Sequence, residues 1–306
     1  MRPDDSLLDP QQLATVRRHA DVLLRDAAAL GRFPTPIDDL LEAAKLTVVD
    51  NEELDDGLLQ QFLSKAKSGI ASIKSALSKV LGMFESNDRL VFIDRNAPKP
   101  RIPFIKLHEA GHGRLPHQCK MYKLVHDCEK TLDPYITDLF EREANVFASE
   151  VLFQGEVFSN EAHGQSFGMK VPMKLAKKYG ASNYAAFRRY VMTSPNACCL
   201  VVLEPCEYDD RGDFTAEVRR VVPSELFEKI YDEKVFGSTV DLSHPLGSVV
   251  PRKRMCYPRE VLLTDRNGDE RICRAEAFNT THHTLVLLRD IGLRNHAGIA
   301  VPAHVF

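Results

Sequence analysis

The chain has 306 residues, 44% of them hydrophobic and 27% charged, with a formal net charge of −3. This balance is ordinary for a folded globular protein and excludes a mostly disordered or collagen-like chain. The length suits two or three domains, the charge gives no sign of a nucleic-acid partner, and no apolar run reaches the roughly 18 residues of a membrane span.

Seven cysteines form no C-x-x-C pair, and the N-terminal residues lack the apolar core of a leader. Reduced thiols in a cytoplasmic protein are therefore expected. Leu13, Val16, Ala20, Leu23, Leu24 and Ala27 recur at helical spacing before Gly31 and the Pro34/Pro36 loop. A short helix follows Pro36, with Asp38 and Asp39 in its first turn as the helix dipole favours. Leu46 to Val49 reads as a strand. From 57 to 84, Leu59, Leu63, Ala66, Ile70, Ile73, Leu77, Val80 and Phe84 alternate in steps of four and three. That seam predicts an inserted amphipathic helix. Its plain reading is packing on its own domain; its sharper reading is a docking helix for a partner or an anionic surface, and its tether beside the next strand suggests that it lies along or over a neighbouring cleft.

Leu90, Val91, Phe92, Ile93 and Asp94 predict a second strand. A helix then starts near Pro103 and stops at Pro116, centred on Leu107-His108-Glu109-Ala110-Gly111-His112. A third helix covers roughly Pro134 to Leu152. A helix pair runs from Pro172 to Val191 around the turn Gly180-Ala181-Ser182. Beyond Pro195 the texture is strand-like at 199–203, 261–265 and 284–288, with a hairpin turn at Asn267-Gly268. The expected class is α+β. A mainly helical domain with a small sheet spans 1–160, a helix-turn-helix-like segment 161–195, and an α+β domain 196–306.

Two histidines four apart on a helix lie one turn above each other, so His108 and His112 can grip one metal ion. In the H-E-x-x-H pattern Glu109 can reach a water on that ion as general base. Zinc suits such ligands, and a catalytic site adds a third protein ligand. By composition, roughly 0.03 matches to the pattern are expected by chance in a chain of this length. Gly111 inside the helix costs about 1 kcal/mol against Ala, which suggests the close approach of another backbone.

The stretch Glu141-Arg142-Glu143-Ala144-Asn145-Val146-Phe147-Ala148 supplies two carboxylates. Glu141, Ala144, Asn145 and Ala148 share one small face. Asn145, a turn from Glu141, could orient a ligating histidine. Glu143 lies about 160° further round the helix, so one acid alone can face the metal. Glu141 is preferred, and Glu143 is expected on a solvated face.

Residues 104–112 with 141–148 resemble the ImmA/IrrE family of zinc metallopeptidases, a likeness that spans roughly residues 8 to 155. The resemblance implies a minimal zincin fold, with His108, His112 and Glu141 as zinc ligands and Glu109 as catalytic base. It implies an endopeptidase whose protein substrate is a helix-turn-helix transcriptional repressor, cleaved to release genes under stress. Family members append a small sensor-like domain, which the resemblance implies for the C-terminal residues. The chain departs from the family in reading Phe-Ile-Lys-Leu before the motif, where Phe-Thr-Leu-Ala is usual, and in the long segment at 57–84.

An extended peptide is expected to add to Leu90, Val91, Phe92, Ile93 and Asp94 as a new edge strand. Candidates to stabilise an oxyanion are His163 and Tyr135, with His117 and His126 also near in sequence. Lys170, Lys174, Lys177, Lys178, Arg188 and Arg189 could touch DNA, although a scaffold role fits better because no base-reading side chains accompany them. The competing function is a regulatory or toxin–antitoxin-type binding protein that keeps the metal site and acts through protein or DNA contacts.

Overall fold

Asp9 opens the first helix, α1 (Pro10–Asp26). Its carboxylate accepts from the Gln11 and Gln12 N–H groups, and Gln12 accepts from the Asp9 N–H in return. This reciprocal cap satisfies donors that a helix start otherwise leaves open. Val16, Ala20, Leu23 and Leu24 form the buried stripe of α1. The computed structural model describes residues 7–49, 82–85, 89–93, 97–128, 133–232, 234–251, 254–280, 282–294 and 300–301.

The chain divides into two compact units. One comprises Asp5–Phe158 with Leu175–Ser182; the other comprises Ser159–Lys174 with Asn183–Phe306. Residues 161–195, read from sequence as a separate helical segment, are thus shared between the two.

In the first unit α2 (Ile37–Ala43) leads into β1 (Thr47–Val49). Strands β2 (Gly82–Glu85) and β3 (Leu90–Ile93) complete a three-stranded sheet in the order β1-β3-β2. β3 runs parallel to β1 and antiparallel to β2, with Val91 opposite both Val48 and Phe84. Two expectations are corrected here. The seam at 57–84 does not end as helix, because Gly82 to Phe84 lie in a strand; residues 57–81 are outside the described residues. Strand β3 is central and paired on both sides, so its backbone groups already have partners and it offers no free edge. Asp94 is outside the described residues.

Three helices follow: α3 (Ile102–Arg114), α4 (Pro116–Cys128) and α5 (Pro134–Leu152). Each has a proline in its first turn, where the missing N–H costs nothing. α3 is the central helix, buried on most sides: Ile105, Leu107, Ala110 and Gly113 are buried along with the polar residues of its motif. It packs on α5, which also receives α1. A Cβ at Gly111 would stand 3.1 Å from the Ala144 Cα and 3.3 Å from the Phe147 ring. Gly111 therefore permits the close approach of α3 and α5 that its presence in a helix suggested. On another side of α3, a Cβ at Gly113 would meet the Phe84 ring at 3.1 Å, so β2 lies against this helix.

Helices α6 (Glu156–His163) and α7 (Lys170–Tyr179) follow. The second unit then contains α8 (Asn183–Met192), α9 (Glu225–Ile230) and an antiparallel sheet. Its strands are β4 (Cys198–Leu203), β5 (Glu207–Tyr208), β6 (Phe214–Pro223), β7 (Thr239–Asp241), β8 (Met255–Thr264), β9 (Glu270–Asn279), β10 (Thr284–Arg294) and β11 (Ala300–Val301). The order is β5-β6-β4-β10-β9-β8, with β7 on β6 and β11 on β10. Its core joins Cys199, Val201 and Leu203 of β4 to Phe214, Val261, Val286 and Leu288. The Asn267-Gly268 turn joins β8 to β9 as expected. Gly268 has φ +89°, a conformation that favours glycine, and Asp265 accepts from the Asn267 and Asp269 N–H groups. The chain is α+β, and no helix among the described residues is long and apolar enough to cross a membrane.

Candidate metal centre

His108 and His112 lie one turn apart on α3, both buried, at 1% and 5% exposure. Their Nε2 atoms are 3.2 Å apart. Glu141 on α5 brings one carboxylate oxygen to 3.3 Å from His108 Nε2 and the other to 3.6 Å from His112 Nε2. Donor atoms 2.0–2.1 Å from a tetrahedral zinc lie roughly 3.3 Å from one another. The three residues therefore have the spacing of three corners of such a site, and among the described residues they form the one group that could hold a metal ion.

The other face of each imidazole reinforces this. His108 Nδ1–H donates to Asn145 Oδ1 at 3.1 Å, and His112 Nδ1–H donates to Gln118 Oε1 at 2.7 Å. An amide oxygen only accepts, so each ring carries its hydrogen on Nδ1 and turns an Nε2 lone pair inward. Two lone pairs aimed at each other across 3.2 Å repel, and a cation between them and Glu141 resolves the conflict. The residues present fit a divalent metal.

Gln118 is fully buried and continues outward. Its Nε2 donates to Glu143 Oε2 at 2.6 Å and to the Phe140 carbonyl at 3.2 Å. His117 Nε2 donates to the same Glu143 oxygen at 2.6 Å. Glu143 is thus buried and doubly bonded, not on a solvated face as its sequence position suggested. A carboxylate taken from water needs such donors, and α4 supplies them. Nothing in the motif pattern marks Gln118, because its relation to His112 depends on how the chain turns at Pro116 between α3 and α4.

Glu109 is buried beside the metal-binding group, at 3% exposure. Burial pushes its carboxyl up to about 7; the Glu141 charge adds to this, while His108 and the Phe84 backbone N–H oppose it. A carboxyl held near neutrality can take up or give a proton readily there. Burial also acts on both imidazoles, with opposite outcomes. His112 is lowered to about 4 by burial and by the charge on His108. For His108, burial is outweighed by Glu141 and Glu109, and its value is raised.

The structure brings together His108, Glu109, His112, Glu141 and Asn145. Of the residues considered for an oxyanion, Tyr135 is 70% exposed and His117 is engaged with Glu143. The His126 side chain is outside the described residues. Sequence reasoning missed Gln118, Phe84 and Tyr122, whose ring meets that of His112 edge-on at 5.5 Å. Of the basic set, Lys170, Lys174 and Lys177 are exposed, while Lys178 lies over the Phe33 ring at 4.1 Å and Arg189 is buried.

This helix pair, with its paired histidines and facing glutamate, has the layout of a metallopeptidase centre. Residues 68–190 match the family model of peptidase family M78, described as the IrrE N-terminal-like domain, so the ImmA/IrrE resemblance is shown for that region. A solved Mycobacterium tuberculosis transcriptional regulator is similar at 10% identity, with a TM-score of 0.48, covering 90% of this chain and 76% of that one. No curated protein matches the chain.

Proposed function

We propose that the chain is a cytoplasmic zinc-dependent endopeptidase of minimal zincin type, with His108, His112 and Glu141 as ligands and Glu109 as the base. The observation that carries this reading is the set of three donor atoms at tetrahedral spacing, with Glu109 buried beside them. Bound zinc would supply Lewis acidity, polarising a peptide carbonyl and making water easier to deprotonate. Asn145 and Gln118 would hold the two imidazoles in the ligating tautomer. Glu109 would accept the proton of the attacking water and pass it to the amine as the C–N bond breaks. An extended substrate would add to β2, an edge of the sheet among the described residues, which lies against α3 and whose Phe84 N–H already contacts Glu109.

From the family resemblance, the substrate is a helix-turn-helix repressor, and its cleavage releases gene expression under stress. Incubation of the zinc-loaded protein with any helix-turn-helix repressor encoded beside its gene tests this. The parent should cleave that protein, and Glu109→Gln should keep its zinc and leave the protein intact. Equal cleavage by Glu109→Gln would contradict the role of Glu109; an intact repressor in both would contradict the substrate.

A further inference from the structure

The second unit contains a cavity of about 210 Å³ lined wholly by its own residues. The end of α6 and the loop after it supply His163 and Phe167, and α8 supplies Tyr190. The stretch before β4 supplies Ser194 and Asn196, and β10 supplies Arg289. The Phe167 and Tyr190 rings stack at 5.3 Å and 27°. The Arg289 guanidinium stands over the Phe167 ring at 5.7 Å. Tyr190 is buried, Arg289 is half-buried, and His163 is exposed.

A guanidinium carries a planar fork of N–H donors and no acceptor. Among the described residues, none accepts a hydrogen bond from the Arg289 side chain or forms an ion pair with it. Strand register makes this stranger. Arg289 has Cys198 of β4 opposite it on one side and Arg274 of β9 on the other. Residues directly opposite share a face, so two arginines are neighbours there, an unfavourable pairing of like charges. Two acids share the face. Glu260 of β8 stands opposite Arg274, not Arg289. Glu276, two residues on from Arg274, turns its carboxylate to the Met169 N–H at 3.3 Å, beside Gly168. Arg289 is therefore a cation in a walled cavity, crowded by a second cation and matched by no carboxylate.

We propose that this cavity binds a small aromatic monocarboxylate, with its carboxylate on Arg289 and its ring against Phe167 and Tyr190. The site lies in the unit without the metal-binding group, so the proposal stands apart from the peptidase reading. The arginine fork matches the two oxygens of a carboxylate, and such charge-assisted bonds are about twice as strong as neutral ones. The stacked rings give the body of the ligand a flat apolar wall. Asn196 donates one amide hydrogen to Ser194 Oγ at 3.3 Å and has a second to offer. Size sets the upper limit: the cavity is smaller than the roughly 300–1,000 Å³ of pockets for drug-sized ligands, which leaves room for a single ring. Charge sets the anion. With Glu260 and Glu276 on the same face, a phosphate dianion meets more repulsion than a carboxylate does.

The test is ligand-observed fluorine NMR on the full-length protein at neutral pH, with para-fluorobenzoate and para-fluorobenzamide as probes. The benzoate should bind with a Kd of about 1 mM or tighter, as befits so small a ligand. The benzamide keeps the ring and the shape but not the charge, and should bind about 10- to 100-fold more weakly. Inorganic phosphate at the same concentration should not displace the benzoate. Arg289→Met keeps a long side chain beside Phe167 without the cation, and should weaken benzoate binding about 10- to 100-fold. A parent that does not bind the benzoate would overturn the proposal. So would equal affinity for the benzamide, displacement by phosphate, or an Arg289→Met chain that holds the benzoate as the parent does. Should Arg289→Met not fold, a crystal structure of the parent with para-bromobenzoate decides. Anomalous bromine signal in the cavity, with the carboxylate on Arg289, supports the site; signal elsewhere or none at all refutes it.

Discussion

Glu109 is a carboxyl that the fold prefers protonated when no metal is present. Its value is about 7 in the folded chain, against about 4.3 for an exposed glutamate. Its contribution to stability is full below the unfolded value and is lost as pH rises through 7, because the folded chain must then bury an anion that the unfolded chain exposes to water. Glu109→Gln removes that loss. Urea unfolding of the metal-free proteins should show the variant gaining on the parent by about 2–3 kcal/mol between pH 5 and pH 8; an equal difference at both pH values would contradict the burial argument. The second residue-scale prediction concerns Gln118. Gln118→Ala frees the His112 Nδ1–H and leaves Glu143 one donor short, so chelator competition should show zinc held about 10- to 100-fold more weakly. Glu141→Ala, which removes a carboxylate beside both Nε2 atoms, should weaken it further; the reverse order would make the α4 amide the more important group.

At the scale of elements, the junction of α3 and α5 sets the site. Glu141 reaches the histidines because Gly111 and Ala144 let the two helices approach closely. Gly111→Ala should destabilise the chain by about 1–3 kcal/mol in thermal unfolding, despite the roughly 1 kcal/mol that Ala gains over Gly in a helix. A stabilised variant would mean that the helices can move apart without cost. The α3 and α5 helices were legible in sequence, because prolines mark their starts and apolar periodicity marks their buried faces. Metal chelation from one helix also demands a fixed i, i+4 spacing, which made His108 and His112 readable. The sheet was harder. Gly82 to Phe84 fit the end of a helical seam as well as they fit a strand, since a few residues do not separate a period of 3.6 from one of 2. With β2 unrecognised, β3 looked like an edge, although it is paired on both sides.

At the scale of the whole molecule, the division at residue 195 suggested by the change from helical to strand-like texture does not follow the packing. α8 packs on β4 and β6 of the second unit and buries Ala186, Phe187, Tyr190 and Val191. Local periodicity shows that this helix is amphipathic but not which element covers it. A fragment of residues 1–195 should therefore expose the apolar face of α8 and bind a hydrophobic dye more strongly than the full chain. Equal dye binding would place the cover of α8 elsewhere. Zinc K-edge X-ray absorption of the loaded protein measures the metal centre directly. It should show one zinc per chain with nitrogen and oxygen neighbours at about 2.0–2.1 Å, lost together when His108 and His112 are replaced by alanine. A sulfur shell near about 2.3 Å, or the same spectrum from the doubly substituted chain, would contradict it.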